Sequence, residues 1–260
     1  MIKKIINKTK NMFGKKADTT DMPALFHITN YKAGSQWIYG ILRDLFPEDK
    51  VVKPLPKVRH VLAADKLKEG FVYPTTYVNA DTFNNLRLPE NYKNLVIFRD
   101  LRDVLVSLYF SVAKSHPAEF PAIKESREAL NSMEFEEGML HLLNTRMSVN
   151  AKIQASWRGV GSFIKYEDLL TNDYEILKNE LIVNLNLPID ESRLKFAVES
   201  NRFSKLAKGR KHGEEDQGSH YRKGIQGDWV NYFTPKIKEQ FKELYGDHLI
   251  LMGYELDLNW

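Results

Sequence analysis

The stretch that decides the fold is Phe26-His27-Ile28-Thr29-Asn30-Tyr31-Lys32-Ala33-Gly34-Ser35-Gln36-Trp37, an apolar run followed by a short polar loop. Residues 24–29 are rich in strand formers, and the residues after the loop repeat at the spacing of one helical face: Trp37, Ile38, Ile41, Leu42 and Leu45. A helix N-terminus offers unpaired N–H groups and a positive dipole end, which suit an anion. The pattern therefore predicts a strand, a phosphate-binding loop and a helix.

The residue types within this loop fit a phosphate. Lys32 adds a full positive charge, Gly34 allows a close backbone approach, and Ser35 supplies a hydroxyl at the first helical turn. The loop is not a Walker loop, because that motif places its lysine after the second glycine and Lys32 precedes the only glycine here. A plain β–α turn with a surface lysine is the other interpretation of this stretch taken alone.

Composition limits the possible classes of protein. A chain of 260 residues with 43% hydrophobic content suits one α/β domain, which we place at residues 23–260. The net charge of +4 is too small to indicate nucleic-acid binding. The chain has no cysteine, which excludes disulfides and cysteine metal sites. No apolar run of about 18 residues occurs, so we expect a cytoplasmic protein without a transmembrane segment.

Residues 1–22 are basic and are expected to form a flexible N-terminal segment. A frayed, solvated tail is one interpretation. The other is weak peripheral contact with an anionic membrane through its scattered apolar side chains, which are Ile2, Ile5, Ile6, Met12 and Phe13.

A second strand–loop–helix unit follows the first. Residues 95–98 predict a buried strand, Arg99 comes directly after it, and Asp100 is a plausible cap for a helix that carries Ser107. Arginine at a strand end can bind phosphate through its planar fork, although an Arg–Asp surface pair is equally compatible. Between the two units, residues 71–73 predict a short strand that ends at Pro74, with Thr75, Thr76 and Tyr77 just past its carboxyl end.

The remaining helices and strand are predicted from the spacing of apolar residues. Residues 118–157 are helical in pattern, 162–165 predict a buried strand with Tyr166 at its end, and 172–187 and 191–199 predict amphipathic helices. Residues 209–220 are polar and predict a mobile loop. The next stretch, Tyr221-Arg222-Lys223-Gly224-Ile225-Gln226-Gly227-Asp228-Trp229, combines two adjacent cations with a flexible glycine and indicates a closing phosphate site.

These segments, in this order, resemble the PAPS-dependent sulfotransferases of the cytosolic type. The loop is similar to the family's 5′-phosphosulfate loop, with Tyr31 in place of proline. Arg99 and Ser107 stand at the spacing of the family's 3′-phosphate residues, with Leu101 in place of proline. Residues 222–234 resemble the family's Arg-Lys-Gly motif almost residue for residue.

The resemblance implies a three-layer, P-loop-NTPase-like α/β domain with a central parallel sheet. It implies transfer of a sulfuryl group from PAPS, leaving PAP, to a hydroxyl or amine of a small-molecule or glycan acceptor, without a metal. It assigns the cofactor to Lys32, Ala33, Gly34, Ser35, Gln36, Trp37, Arg99, Ser107, Tyr166, Phe203, Arg222, Lys223 and Gly224. A PAP- or PAPS-binding protein without catalysis and a P-loop-like small-molecule kinase remain alternatives.

The resemblance leaves the general base open. Tyr77 stands where the family carries its histidine, and a tyrosine with a reference pKa of about 10 is a poor base at neutral pH. His116 titrates in the useful range and, by resemblance, borders the acceptor pocket. We therefore expect Lys32 and His116 to be catalytic, with Glu48 and Asp49, or no dedicated base, as the alternatives.

Overall fold

The protein is described by a computed structural model that covers residues 14–53, 67–115 and 121–260, without the side chains of 121–123. Its strands are β1 (Ala24–Thr29), β2 (Val72–Thr76), β3 (Tyr92–Phe98) and β4 (Ile164–Lys165). Its α-helices are α1 (Ser35–Leu45), α2 (Ala80–Asn84), α3 (Leu101–Phe110), α4 (Pro121–Asn131), α5 (Phe135–Trp157), α6 (Tyr166–Lys178), α7 (Glu191–Ser200), α8 (Phe203–Leu206) and α9 (Pro235–Leu251).

The four strands form one parallel sheet in the order β2-β1-β3-β4. Alternate residues of β1 pack on opposite faces: Leu25 joins the core formed with α1 and α7, whereas Phe26 and Ile28 join the core formed with α2 and α5. A parallel sheet covered by helices on both faces is the three-layer α/β architecture that the sequence predicts. This prediction is confirmed.

The strand order places the loops after β1 and β3 side by side. The second strand in sequence, β2, lies on one side of β1, and the third, β3, lies on the other. The direction in which successive strands are added to the sheet therefore reverses at β1. Open α/β sheets bind ligands in the crevice outside the carboxyl ends of the strands at such a point. The fold therefore brings the two predicted phosphate-binding loops together.

The prediction that β2 ends at Pro74 is wrong. The strand continues through Thr76, and its pairing with β1 shifts between Phe26 and Ile28, where two residues of β2 oppose one of β1. Such a bulge accommodates a proline, because its missing N–H is not needed in the ladder. Thr75 lies in the bulge at φ 57°, an uncommon conformation for a β-branched residue.

Three other elements differ from their predictions. β4 is a two-residue, half-buried edge strand rather than a buried one. The helix predicted from residue 172 begins at Tyr166 and breaks at Asn172, where φ is −143°. A π-helical turn, Asn179–Asn184, then ends this segment before α7.

Residues 14–22, part of the segment expected to be flexible, lie against the domain. Ala17 and Met22 are buried, the Ala17 N–H donates to the Leu45 carbonyl at 3.0 Å, and Lys16 Nζ donates to the Phe46 carbonyl at 2.8 Å. Residues 1–13, which include the proposed membrane contact, lie outside the described residues. No helix in the described ranges is long and apolar enough to cross a bilayer.

Candidate active site

A cavity of about 1460 Å³ lies at the carboxyl ends of the strands. It brings together residues that are nearly 200 positions apart in sequence. All but one of the residues assigned to the cofactor line it: Lys32, Gly34, Ser35, Gln36, Trp37, Arg99, Ser107, Tyr166, Phe203, Arg222, Lys223 and Gly224. Ala33 is the exception, because its side chain is fully buried beneath the loop.

The loop after β1 depends on two left-handed residues. Lys32 has a φ of 66° and Gly34 has a φ of 75°. A Cβ atom at Gly34 would lie 2.6 Å from the Tyr166 ring, so a larger residue would displace this ring. Gly34 caps α1 without a side-chain hydrogen bond, and its carbonyl accepts from the Trp37 N–H at 2.9 Å, so the N–H groups of Ser35 and Gln36 are the ones available at the cavity.

Lys32 lies among other positive charges. Its own burial, and after it the charges of Arg99 and Arg222, lowers the pKa of Lys32 to about 8. The cavity therefore destabilises the charged amine, and an anion bound nearby would restore the pKa. A lysine in this environment would stabilise a phosphate most strongly as negative charge develops on that phosphate.

Arg99 connects the two segments that are predicted to bind phosphate. Its Nη1 donates to the carbonyl of Lys32 at 3.1 Å, and its Nη2 donates to the carbonyl of Ile225 at 3.3 Å. The guanidinium also stacks on Tyr166, 4.7 Å from the ring centre. One buried side chain thus holds the loop after β1 against the segment that follows Arg222 and Lys223.

Asp103 on α3 binds residues 227–229, which continue the segment that Arg99 contacts at Ile225. It accepts hydrogen bonds from the Gly227 N–H at 2.8 Å and the Trp229 N–H at 3.0 Å, and it lies 3.5 Å from Arg99 Nη2. This carboxylate is 1% exposed, and its burial raises its pKa despite the opposing charge of Arg99. Residues 227–229 are therefore tied to the helix that begins after β3.

Arg222 and Lys223 share one buried carboxylate. Arg222 Nη2 donates to Asp228 Oδ2 at 2.5 Å, and Lys223 Nζ donates to Asp228 Oδ1 at 2.7 Å. Arg222 Nη1 also pairs with Glu215. Both cations have an acidic partner and also line the cavity, where an added phosphate can reach them.

The loop predicted at 209–220 lacks regular secondary structure, but it pairs with the cation segment. The Gly213 N–H donates to the Lys223 carbonyl and the Asp216 N–H donates to the Arg222 carbonyl, both at 2.9 Å. Arg210 Nη1 donates to the Arg222 carbonyl at 2.7 Å. The loop thus fixes the backbone of the two cations from the solvent side.

Aromatic residues form another part of the cavity wall. Trp37 and Tyr166 meet edge to face with ring centres 6.0 Å apart. Phe203 packs so closely on Gly224 that a Cβ at this glycine would lie 2.5 Å from the ring. His212 lies 4.8 Å from Phe203, ring centre to ring centre. These rings offer flat apolar surfaces of the kind on which a nucleotide base stacks.

Tyr77 is a hydrogen-bonding residue rather than a base. Its hydroxyl lies 2.7 Å from the Ser35 hydroxyl, and its ring stacks on Tyr31 with centres 4.1 Å apart. Burial raises the pKa of Tyr77 to about 12, although the Ser35 hydrogen bond lowers it. A phenol with this pKa stays protonated at neutral pH.

The other candidate bases lie elsewhere. His116 is outside the described residues, so its catalytic role stays a prediction. Glu48 forms an exposed ion pair with Lys53 at 3.2 Å, and neither Glu48 nor Asp49 is among the residues that line the cavity.

A buried polar network behind the loop was missed by the sequence analysis. Gln154 Nε2 donates to Asn30 Oδ1 at 3.1 Å and to the Arg99 carbonyl at 2.7 Å, and Gln154 Oε1 lies 2.8 Å from His248 Nε2. Asn30 and Gln154 are fully buried. The sequence showed only that Gln154 is a polar residue between apolar positions of a helix. Its partners Asn30 and Arg99, which directly follow β1 and β3, are far away in sequence.

The family model described as the sulfotransferase domain matches residues 22–253 of the chain. The chain belongs to this family. Rat (Rattus norvegicus) sulfotransferase 2B1 is 24% identical over 247 residues, which cover 86% of this chain and 70% of the relative. The sequence-based assignment to the PAPS-dependent sulfotransferases is thus confirmed, and the enzyme transfers a sulfuryl group from PAPS to an acceptor.

Solved structures share the fold of this sulfotransferase. Mouse sulfotransferase SULT7A1, complexed with PAP, is 20% identical and superposes with a TM-score of 0.62 over 95% of this chain and 91% of that chain. Retinol dehydratase, in complex with androsterone and PAP, is 18% identical with a TM-score of 0.51 over 94% of this chain and 84% of that chain. These similarities support the P-loop-NTPase-like fold of the enzyme.

Proposed function

We propose that this sulfotransferase holds PAPS across the cavity, with the 5′-phosphosulfate on the loop after β1 and the 3′-phosphate between Arg99, Ser107 and residues 222–224. The observation that supports this arrangement best is the pair of hydrogen bonds from Arg99 to the carbonyls of Lys32 and Ile225. These bonds hold together two segments that each suit a phosphate. A nucleotide with phosphates at the 3′ and 5′ positions of its ribose requires two such segments.

The residues of the cavity fit such a ligand. Arg99 Nε and Trp37 Nε1 are buried donors without a partner in the described part of the chain, and both residues line the cavity. Buried polar groups are normally hydrogen-bonded, so two orphaned donors beside the loop favour a bound acceptor of hydrogen bonds. Phosphate and ribose oxygens supply such acceptors.

The chemistry follows from the charges around the loop. PAPS, when bound, supplies the sulfuryl group: the bond from sulfur to the acceptor oxygen forms as the bond from sulfur to the 5′-phosphate oxygen breaks, and PAP leaves. Lys32 and the first N–H groups of α1 stabilise the negative charge that gathers on the leaving phosphate. Tyr77 fixes the Ser35 hydroxyl at the start of this helix.

The acceptor must lose a proton during transfer. Because the pKa of Tyr77 is raised to about 12, we assign this role to His116, which the sequence places after α3 in the stretch that resembles the acceptor border. We further propose that the acceptor is a small molecule or a glycan with a free hydroxyl or amine. The androsterone complex of retinol dehydratase supports the small-molecule option by analogy.

Nucleotide binding tests the proposed arrangement. PAP and AMP differ only in the 3′-phosphate, so calorimetry should find that PAP binds much more tightly than AMP. Arg222→Ala should remove about 1.5–3 kcal/mol from PAP binding and little from AMP binding, because Lys223 remains to pair Asp228. Lys205→Ala, at an exposed position of α8 outside the cavity, is the matched control. Equal affinity of the wild type for the two nucleotides would contradict the arrangement.

A further inference from the structure

One group of nine residues, among the parts of the cavity lining that are not assigned to the cofactor, lies on neighbouring helices. It is formed by the end of α3, the π-helical turn Ser111–Ser115 that follows it, the middle of α5, and Ser126 of α4. Its members are Leu108, Ser111, Val112, Ser126, Thr145, Arg146, Ser148, Val149 and Asn150, which we call the α5 wall. Four of the nine carry hydroxyl groups, so the α5 wall can both donate and accept hydrogen bonds.

Arg146 is the only cation of the α5 wall. Its Nη2 donates to the Ser126 hydroxyl at 3.0 Å, and no carboxylate of the described residues forms an ion pair with it. Every other arginine that lines the cavity has an acidic partner: Arg99 with Asp103, Arg202 with Asp173, and Arg222 with Asp228. Arg146 therefore keeps donors of its planar fork for a ligand.

Asn150 lies one helical turn from Arg146 on the same wall. It is 1% exposed, and its Oδ1 is buried without a hydrogen-bond partner in the described ranges. A buried amide oxygen without a partner is costly, and a hydroxyl or amine on a molecule in the cavity would satisfy it. This is an observation independent of Arg146, and it also points to a polar ligand.

The charge of the cavity lining also favours an anionic acceptor over a cationic one. In the described part of the chain, Asp173 is the only carboxylate of the lining, and it is already paired with Arg202. A cationic acceptor would find no free carboxylate there. An anionic acceptor would meet Arg146, whose charge no described carboxylate compensates.

We propose that the acceptor of this enzyme is a hydroxylated acid, whose carboxylate, phosphate or sulfate group binds Arg146 and whose hydroxyl groups bind Asn150 and the hydroxyls of the α5 wall. This inference rests on the proposed function, since it takes the α5 wall as the acceptor side of the cavity. Arg146 is then a specificity-determining residue. It selects the acceptor by charge and does not act on the transferred group.

The test compares acids with their neutral partners on protein saturated with PAP. The pairs are 4-hydroxybenzoate with 4-hydroxybenzamide, glucuronate with glucose, and glucose 6-phosphate with glucose, each titrated by calorimetry. We expect the acid of at least one pair to bind about 10- to 100-fold more tightly, as a charge-assisted hydrogen bond to arginine provides. Arg146→Gln should abolish that preference, and Arg87→Gln, at an exposed position outside the cavity lining, should preserve it.

The failures of the two proposals are distinguishable. If PAP itself does not bind, the proposed function fails. If PAP binds but no acid is preferred in any pair, or if a preference survives in Arg146→Gln, the inference is overturned and the proposed function stands. Transfer of labelled sulfate to the preferred acid, with kcat/KM falling in Arg146→Gln mainly through KM, would give the matching kinetic result.

Discussion

Gln154 on α5 donates a hydrogen bond to the backbone carbonyl of Arg99, at 2.7 Å, and with the same nitrogen reaches Asn30 Oδ1 at the end of β1. This amide thereby connects the end of β1, where the predicted phosphate-binding loop begins, with the end of β3, which Arg99 follows. The Arg99 N–H in turn donates to Asn30 Oδ1 at 3.3 Å. The geometry of the proposed cofactor site thus depends on a side chain that does not line the cavity.

Gln154→Met should weaken both the fold and nucleotide binding. It keeps the size of the side chain but removes the amide, leaving the Arg99 carbonyl and His248 without this partner, at a cost of about 1–3 kcal/mol in unfolding free energy. Urea unfolding and PAP titration measure the two effects. Gln240→Met is the matched control, since Gln240 forms an exposed hydrogen bond on α9. Unchanged PAP affinity in Gln154→Met would show that the amide only stabilises the fold.

Lys32 should determine an alkaline limit of activity. Its pKa of about 8 in the free enzyme means that the amine loses its charge as the pH rises through this value, so kcat/KM for PAPS should fall there. Lys32→Arg should remove this limb because guanidinium stays protonated. Lys32→Ala should lower kcat on the order of 100-fold while weakening PAPS binding less. An identical alkaline limb in Lys32→Arg would assign it to another group.

Glu167 should make stability depend on pH. Burial raises its pKa from 4.5 to about 7, although Arg99 and the Asp100 N–H lower it. Below pH 4.5 the carboxyl is neutral in both the folded and unfolded states. As the pH rises toward 7, the unfolded state releases its proton first, so stability is lost over this window.

Glu167→Gln tests this dependence, because the amide oxygen can still accept from the Asp100 N–H but cannot ionise. Relative to the variant, the wild type should lose up to about 3 kcal/mol of unfolding free energy between pH 4.5 and 7, and no more above it. Glu175→Gln, exposed on the same helix, is the matched control. A constant difference across the window would refute the raised pKa.

His116 should determine the acidic limit of turnover. Once an acceptor is known, His116→Ala should lower kcat on the order of 100-fold or more and remove the acidic limb of the pH–rate profile, as expected for the loss of a general base. Tyr77→Phe should keep that limb, since it removes only the hydrogen bond to Ser35. If His116→Ala retains wild-type turnover and the same limb, the acceptor or a carboxylate provides the base.

The sequence by itself determined the local units of this protein. The strand, loop and helix around Lys32 and the unit around Arg99 are encoded in neighbouring residues, because apolar periodicity and helix caps act over one or two turns. β1 matches its predicted range, α1 contains the five positions predicted to share one helical face, and Asp100 caps α3 through the Arg102 N–H as expected. The family assignment rested on the order of such units, and the match over residues 22–253 confirmed it.

Only the tertiary structure decided how these units share their charges. Sequence indicated Arg222 and Lys223 as two adjacent cations of a closing phosphate site, but folding pairs both with Asp228. The bulge at Thr75, the bridge made by Arg99 and the amide of Gln154 also join residues 47 to 126 positions apart. Whether a buried polar group finds a partner depends on long-range packing, and the pattern of any single segment does not contain that information.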